Sequence, residues 1–180
     1  MAVISSNALT GITTRMADGA MSAGSIIQIV HANSNSHLSS TSTSYVDLTG
    51  VTATITPSAT SSKILITCTI AISKEDQHTF LARLVKDGSV ISGSGGVKES
   101  SHNNQLDGVW WNIRTSNWAA NPCTIQYLDS PSTTSAITYK AQGLTNSSSY
   151  GFSLNRTNYN ANNVDDSPGF SSMTLMEVGA

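Results

Sequence analysis

Four histidines, two cysteines and eleven acidic residues are the side chains here that could carry proton transfer, nucleophilic attack or metal binding. His31, His37, His78 and His102 are accompanied by no cysteine pair at zinc spacing, and they read as surface or loop histidines. Glu75-Asp76 and Asp165-Asp166 lack the regularly spaced oxygen ligands of a calcium loop and read as turn carboxylates. No G-x-S-x-G elbow occurs, and a Ser/His/Asp set picked from so many serines is uninformative. The acidic residues stand mostly beside turn residues, which offers little for the paired carboxylates of glycoside cleavage. No catalytic residue, metal or cofactor is expected, and the chain is expected not to be an enzyme.

The chemistry that remains is recognition. Trp110, Trp111, Trp118, Arg156 and Tyr159 have flat or forked polar surfaces that can stack on sugars and hydrogen-bond hydroxyls, and Tyr150 is a further such aromatic. The loop SHNNQLDG (101–108) and the run NRTNYNANN (155–163) add amides suited to saccharides. An ordinary solvated loop is the alternative for both. Adjacent strand residues point to opposite faces, so one of Trp110 and Trp111 belongs to the core and the other to the surface or a subunit interface. Asn146-Ser147-Ser148 and Asn155-Arg156-Thr157 match the glycosylation sequon, which has no meaning without a secretory route.

Strands must position these residues. From Gly24 onward, turn chemistry interrupts apolar runs every ten to fifteen residues. Strands are expected over Ser25–Ala32, Tyr45–Leu48, Val51–Thr56, Lys63–Ser73, Thr79–Lys86, Ser89–Ile91, Val109–Arg114, Cys123–Asp129, Ala136–Gln142, Tyr150–Asn155 and Met173–Val178. A Ser/Asn/His loop is expected after the first of them. Pro57 stops one strand because it cannot donate to a ladder, and 58–62 is expected to be a solvated connector. Lys63–Ser73 alternates strictly: Ile64, Ile66, Cys68, Ile70 and Ile72 make an apolar face, and Leu65, Thr67, Thr69 and Ala71 a mixed one. At ~3.3 Å per residue this strand spans roughly 36 Å. Asp87-Gly88 between apolar runs predicts a type I′ hairpin. Cys68 reads as a small buried hydrophobe, with a Cys68–Cys123 bridge as the alternative. Many short strands with Gly/Pro/Ser turns predict an all-β fold, an antiparallel, jelly-roll-like β-sandwich.

Residues 1–23 differ. They carry only a weak helical pattern, broken by Gly11 and Gly19, and are expected to form a non-globular attachment arm ahead of a 24–180 sandwich domain. Val3, Ile4, Leu9, Ile12, Met16 and Met21 are its candidate anchors on a partner.

Composition narrows the partner. Charged residues make up 11% of 180 residues and the net charge is −2. Ser and Thr fill the gap at about 28% of the sequence. No basic run suits nucleic acid, and no apolar segment approaches the ~20 residues of a membrane helix. The N-terminus lacks a charged region followed by an apolar one, so assembly in a cytoplasm is expected.

In order, GSIIQIVHA, SYVDLTGVTATITPSATSSKILITCTI, LARLVKDGSVIS, TIQYLDSPSTTSAITYKAQ, SLNRT and SSMTLMEV form a string. It resembles the C-terminal module of bacteriophage tail-fibre and virion structural proteins, especially of marine and cyanobacterial phages, over roughly Gly24 to Val178. The resemblance implies a compact antiparallel sandwich, a homotrimer, a virion location, contacts with other tail or capsid proteins, and contact with host surface glycans. Relatives of this type carry long shafts. The short arm here keeps open the alternative of a capsid decoration protein held by that arm, and a polysaccharide hydrolase or lyase is a third class.

Overall fold

The computed structural model describes residues 22–74, 79–94, 109–112 (backbone), 119–157 and 169–179. Within them every regular element is a strand: β1 (Ile26–Ser34), β2 (Leu38–Ser40), β3 (Val46–Ile55), β4 (Lys63–Lys74), β5 (Thr79–Lys86), β6 (Ser89–Val90), β7 (Val109–Asn112), β8 (Asn121–Asp129), β9 (Ile137–Thr145), β10 (Phe152–Leu154) and β11 (Ser171–Val178).

All pairings are antiparallel and form two sheets. In the first, β4 pairs with β8 along one flank and with β11 and β10 along the other. Because β11 covers Lys63–Thr69 and β10 covers Ile72–Lys74, these two lie end to end. They pair in turn with β1 and β2, which are likewise successive pieces of one edge. In the second sheet β3, β9 and β5 follow one another, and β6 and β7 share the far flank of β5. With each end-to-end pair counted as one strand, the first strand lies beside the last, the second beside the penultimate, and so on inward. This is a long antiparallel hairpin rolled into two sheets, the order of a jelly roll.

The apolar face of β4 is the centre of the core: Ile64, Ile66, Cys68, Ile70 and Ile72 are all 0% exposed. They meet Val51, Ala53, Ile55, Phe80, Leu84, Ile137 and Tyr139 of the opposite sheet. Phe80 and Phe152 pack edge to face at 4.9 Å between ring centres. Gly143 makes room for this pair, since a Cβ there would come within 2.7 Å of the Phe80 ring. The mixed face divides. Leu65, Thr67 and Thr69 are half-buried, whereas Ala71 is covered, with Gly169 packed so closely that an added Cβ would lie 2.5 Å from Ala71 Cβ. Asp87 and Gly88, with φ of 47° and 82°, form the expected hairpin turn.

Three expectations are corrected, and one alternative is closed. Tyr45–Leu48 and Val51–Thr56 belong to one strand, β3, whose register shifts beside Gly50 (φ 76°), where a Cβ would collide with the Ser34 hydroxyl. β2 lies in the Ser/Asn/His stretch expected to be a loop. Residues 58–62 are not simply solvated, because Ser62 is buried and Ser58 is bonded to Glu177. The alternative of a Cys68–Cys123 bridge is closed: Cys68 is the small buried hydrophobe expected of it, and both thiols are free and buried. Cys68 lies opposite Ile125 and Cys123 opposite Ile70, so they are diagonal neighbours, typically 7–8 Å apart at Cα and beyond ordinary disulfide reach.

Candidate ligand cleft

Arg156 owes its position to the residue before it. β10 ends at Leu154, and Asn155 turns the chain in the left-handed region (φ 57°), which Asn enters more readily than most residues. Asn155 is fully buried. Its N–H donates to Ala71 O at 2.9 Å, and its Nδ2 donates to Ser34 O at 3.0 Å and Ser36 O at 2.9 Å. Its Oδ1 accepts from Ser171 Oγ at 2.6 Å, and that hydroxyl accepts from Ala71 N–H at 3.0 Å. The knot sits where β10 and β11 meet along β4. It closes the backbone gap between them and fixes the point from which Arg156 departs.

Arg156 borders a cleft of about 300 Å³ whose other walls are Ser39, Ser40 and Thr41 on the β2 side and Gly151, Phe152 and Ser153 on the β10 side. Arg156 Nη2 donates to Ser39 Oγ at 2.7 Å, and Ser39 Oγ bonds Ser153 Oγ at 2.9 Å. Gly151 allows β10 to run close to β2, since a Cβ there would stand 3.1 Å from Ser40 O. Opposite Phe152 on β4 is Lys74, fully buried, with Nζ donating to Thr145 Oγ1 at 2.5 Å and Tyr150 O at 3.2 Å.

One atom behind the cleft wall is unsatisfied. Among the described residues Arg156 Nε is buried with no acceptor, and it is the only side-chain nitrogen or oxygen so placed. A buried donor without a partner costs about 1–3 kcal/mol. The guanidinium fork matches a carboxylate or phosphate edge, with Nε and one Nη donating side by side. Because Nε is closed to solvent, an acidic group in the cleft would have to be met by the rest of the half-buried guanidinium, beside a lining that includes Ser39, Ser40 and Thr41.

The other candidate residues divide cleanly. Trp110 and Trp111 lie on β7, opposite Leu81 and Phe80 in the second sheet, and so are not brought to the Arg156 cleft by strand pairing. Trp118, Tyr159 and the arm anchors Val3, Ile4, Leu9, Ile12, Met16 and Met21 lie outside the described residues, as do His78, His102, Glu75, Asp76, Asp165 and Asp166. His31 is on the open face of the first sheet, its ring nitrogens bonded to Thr174 Oγ1 at 2.8 Å and Asn33 Oδ1 at 2.9 Å. The amide of the Asn155 sequon is locked in the knot, inaccessible to a glycan. Sequence reasoning misses Ser39, Ser40, Thr41 and Ser153, because nothing marks four hydroxyls in a chain so rich in them. Compared with known proteins, the chain matches no family model and no curated sequence.

Proposed function

We propose that the protein is a non-enzymatic structural module of a bacteriophage particle, a homotrimer of the tail-fibre or adhesin type, which uses the Arg156 cleft to hold a host surface saccharide. The cleft carries this reading: a half-buried guanidinium, bonded through Nη2 to Ser39, borders an open cleft that Ser39, Ser40, Thr41 and Ser153 also line. A sugar residue bearing a carboxylate fits that pairing of charge and hydroxyls better than a neutral one. The jelly roll suits the role as well. The chain is rich in Ser and Thr and poor in charge, so contacts outside the cleft would depend little on ionic strength.

Binding of the full chain to acidic and neutral oligosaccharides, read by calorimetry, tests the reading. Acidic sugars are expected to bind, and Arg156→Ala to weaken them about tenfold or more at an unchanged melting temperature. Equal binding by the Arg156→Ala variant, or no binding by either, overturns the cleft assignment. Gold labelling of virions places the protein in the particle, with label on the capsid shell favouring the decoration role. Sedimentation of the complete chain as a monomer at micromolar concentration overturns the trimer.

A further inference from the structure

The open face of the first sheet changes character along its strands. Register places Asn33, Ser172, Thr69 and Thr124 in one row across β1, β11, β4 and β8, and His31, Thr174, Thr67 and Gln126 in the next. Both rows are polar and bonded within themselves: His31 to Thr174, Gln126 to Thr67 at 3.3 Å, and Thr69 to Thr124 at 3.2 Å. The row after them is Ile29, Met176, Leu65 and Leu128, apolar across all four strands. Beyond it Ile26 faces Val178.

A bulge enlarges this band. Ile26 and Ile29 are three residues apart and would point to opposite faces of a regular strand. The register slips by one residue between Ile26 and Gln28, so Ile26 joins Val178 and Ile29 joins Met176 on the same face. The outcome is costly in water: Ile29 is 58% exposed, Ile26 49% and Leu128 48%. Other exposed large apolar residues, such as Val90 and Phe170, lie outside this band.

The band lies at the end of the sheet where the N-terminal segment enters. Ser25 N–H donates to Ser22 O at 3.1 Å and Gly24 has φ of 85°, so residues 22–25 form a reverse turn immediately before β1. The turn is pinned to the sheet by Gly24 N–H to Gly179 O at 2.8 Å and Gly179 N–H to Ser25 O at 2.9 Å. Residue 22 therefore stands at the same end of the sheet as Ile26 and Val178. Residues 1–21 carry Val3, Ile4, Leu9, Ile12, Met16 and Met21 against only two charges, Arg15 and Asp18. Extended, they reach up to ~70 Å, against about 14 Å across the four strands.

We propose that residues 1–21 of the same chain fold back over this band and cover Ile26, Ile29, Leu65, Leu128, Met176 and Val178. Covalent attachment gives the segment a high effective concentration at the band, which favours it over a separate copy. The inference is independent of the reading of the Arg156 cleft.

Trypsin reports the contact directly, because Arg15 is the only Lys or Arg in residues 1–21. Cleavage after Arg15 in the full chain is expected to be at least tenfold slower than in a free 1–21 peptide, and independent of protein concentration. Ile29→Asp with Leu128→Asp should restore the peptide rate. Ile29→Thr with Leu128→Thr, which copies the neighbouring rows and suits a strand, should raise the rate severalfold if the aspartates prevent folding. Peptide-like cleavage of the unmodified chain overturns the proposal, as does protection unchanged in a folded variant. Protection lost on dilution also overturns it, since a second copy would then be the occupant.

Discussion

Tyr139 of β9 donates its hydroxyl to Asp129 Oδ2 of β8 at 2.7 Å, a bond that joins the two sheets at the end of the core. Lys86 Nζ of β5 reaches the same carboxylate at 3.0 Å. Tyr139 is fully buried and Asp129 is 7% exposed. Burial first, and then the bond to Asp129, hold the phenol well above its ordinary range, so it remains a donor. Tyr139→Phe keeps the ring and strips a buried carboxylate of its neutral donor. It should cost about 1–3 kcal/mol in urea unfolding. A loss within error would mean that Lys86 alone satisfies Asp129.

Ile66 lies midway along the apolar face of β4 at 0% exposure, between Leu175 on β11 and Tyr127 on β8. Ile66→Ala should cost ~2–5 kcal/mol through lost burial and an incompletely filled cavity. Leu65→Ala, one residue away on the half-buried face, should cost clearly less. Equal losses in denaturant melts would contradict the division of the two faces.

Much of the jelly roll is legible in the sequence because period-2 alternation survives wherever one face is buried. Lys63–Ser73 and Met173–Val178 show it, and both are strands close to the expected bounds. β2 is hidden because Leu38–Ser40 has one apolar residue and owes its pairing to β10, a partner more than a hundred residues away. The single strand β3 reads as two because Gly50 imitates a turn while it relieves contact with Ser34. The site is less legible still. Arg156 stands out as a rare cation beside amides. Its serine neighbours come together only through the β2–β10 pairing, and the knot around Asn155 is long-range.

Cys68 and Cys123 are free thiols whose burial pushes each up to about 12 from an ordinary 9.0. A thiol reagent at pH 8 should leave the native protein unlabelled and label both after denaturation. Linkage sets the direction with pH: a raised folded value favours the protonated, folded form. The contribution is fully present below about pH 9 and is lost as pH rises towards 12. Replacing both by Ala should flatten the alkaline fall in stability, even if the variant starts lower. An unchanged slope would show that the thiols do not drive it.

Asn155→Ala removes the amide that bonds Ser34 O, Ser36 O and Ser171 Oγ and places a less suitable residue at φ 57°. Stability should fall by about 1–3 kcal/mol for the stranded buried groups. If the Arg156 cleft holds a saccharide as proposed, that affinity should fall with it, because Arg156 loses its fixed origin. Asn155→Gly separates the two effects: it relieves the backbone strain but leaves the carbonyls unbonded. Recovery of full stability in the Gly variant, by thermal melting, would assign the role of Asn155 to φ alone.

Glu177 explains why a plain Ser/Thr tether precedes the longest strand. It is fully buried on the inner face of β11. Ser58 N–H donates to its Oε1 at 2.7 Å, and the Ser58 hydroxyl donates to the same oxygen. Gln28 Nε2 donates to Oε2 and also to Thr56 O at 2.7 Å. The connector from β3 to β4 is therefore folded around a carboxylate, and its serines are the donors. Burial alone would raise the Glu177 carboxyl, but the bonds from Ser58, Ser62 and Gln28 together outweigh it and hold the group below its ordinary 4.5. A depressed folded value means that the stabilisation is present above the unfolded value and is lost as pH falls through the folded one. The wild-type protein should lose stability progressively below about pH 4.5. Glu177→Gln keeps the shape and replaces one acceptor by a donor facing other donors, so it should cost about 1–3 kcal/mol at neutral pH. The difference between the two proteins should narrow on acidification, since protonated glutamic acid meets the same conflict. Urea melts from pH 7 to pH 3 measure this directly. A constant gap across that range would mean that Glu177 is not ionised in the folded protein, and the connector would then owe its order to packing alone.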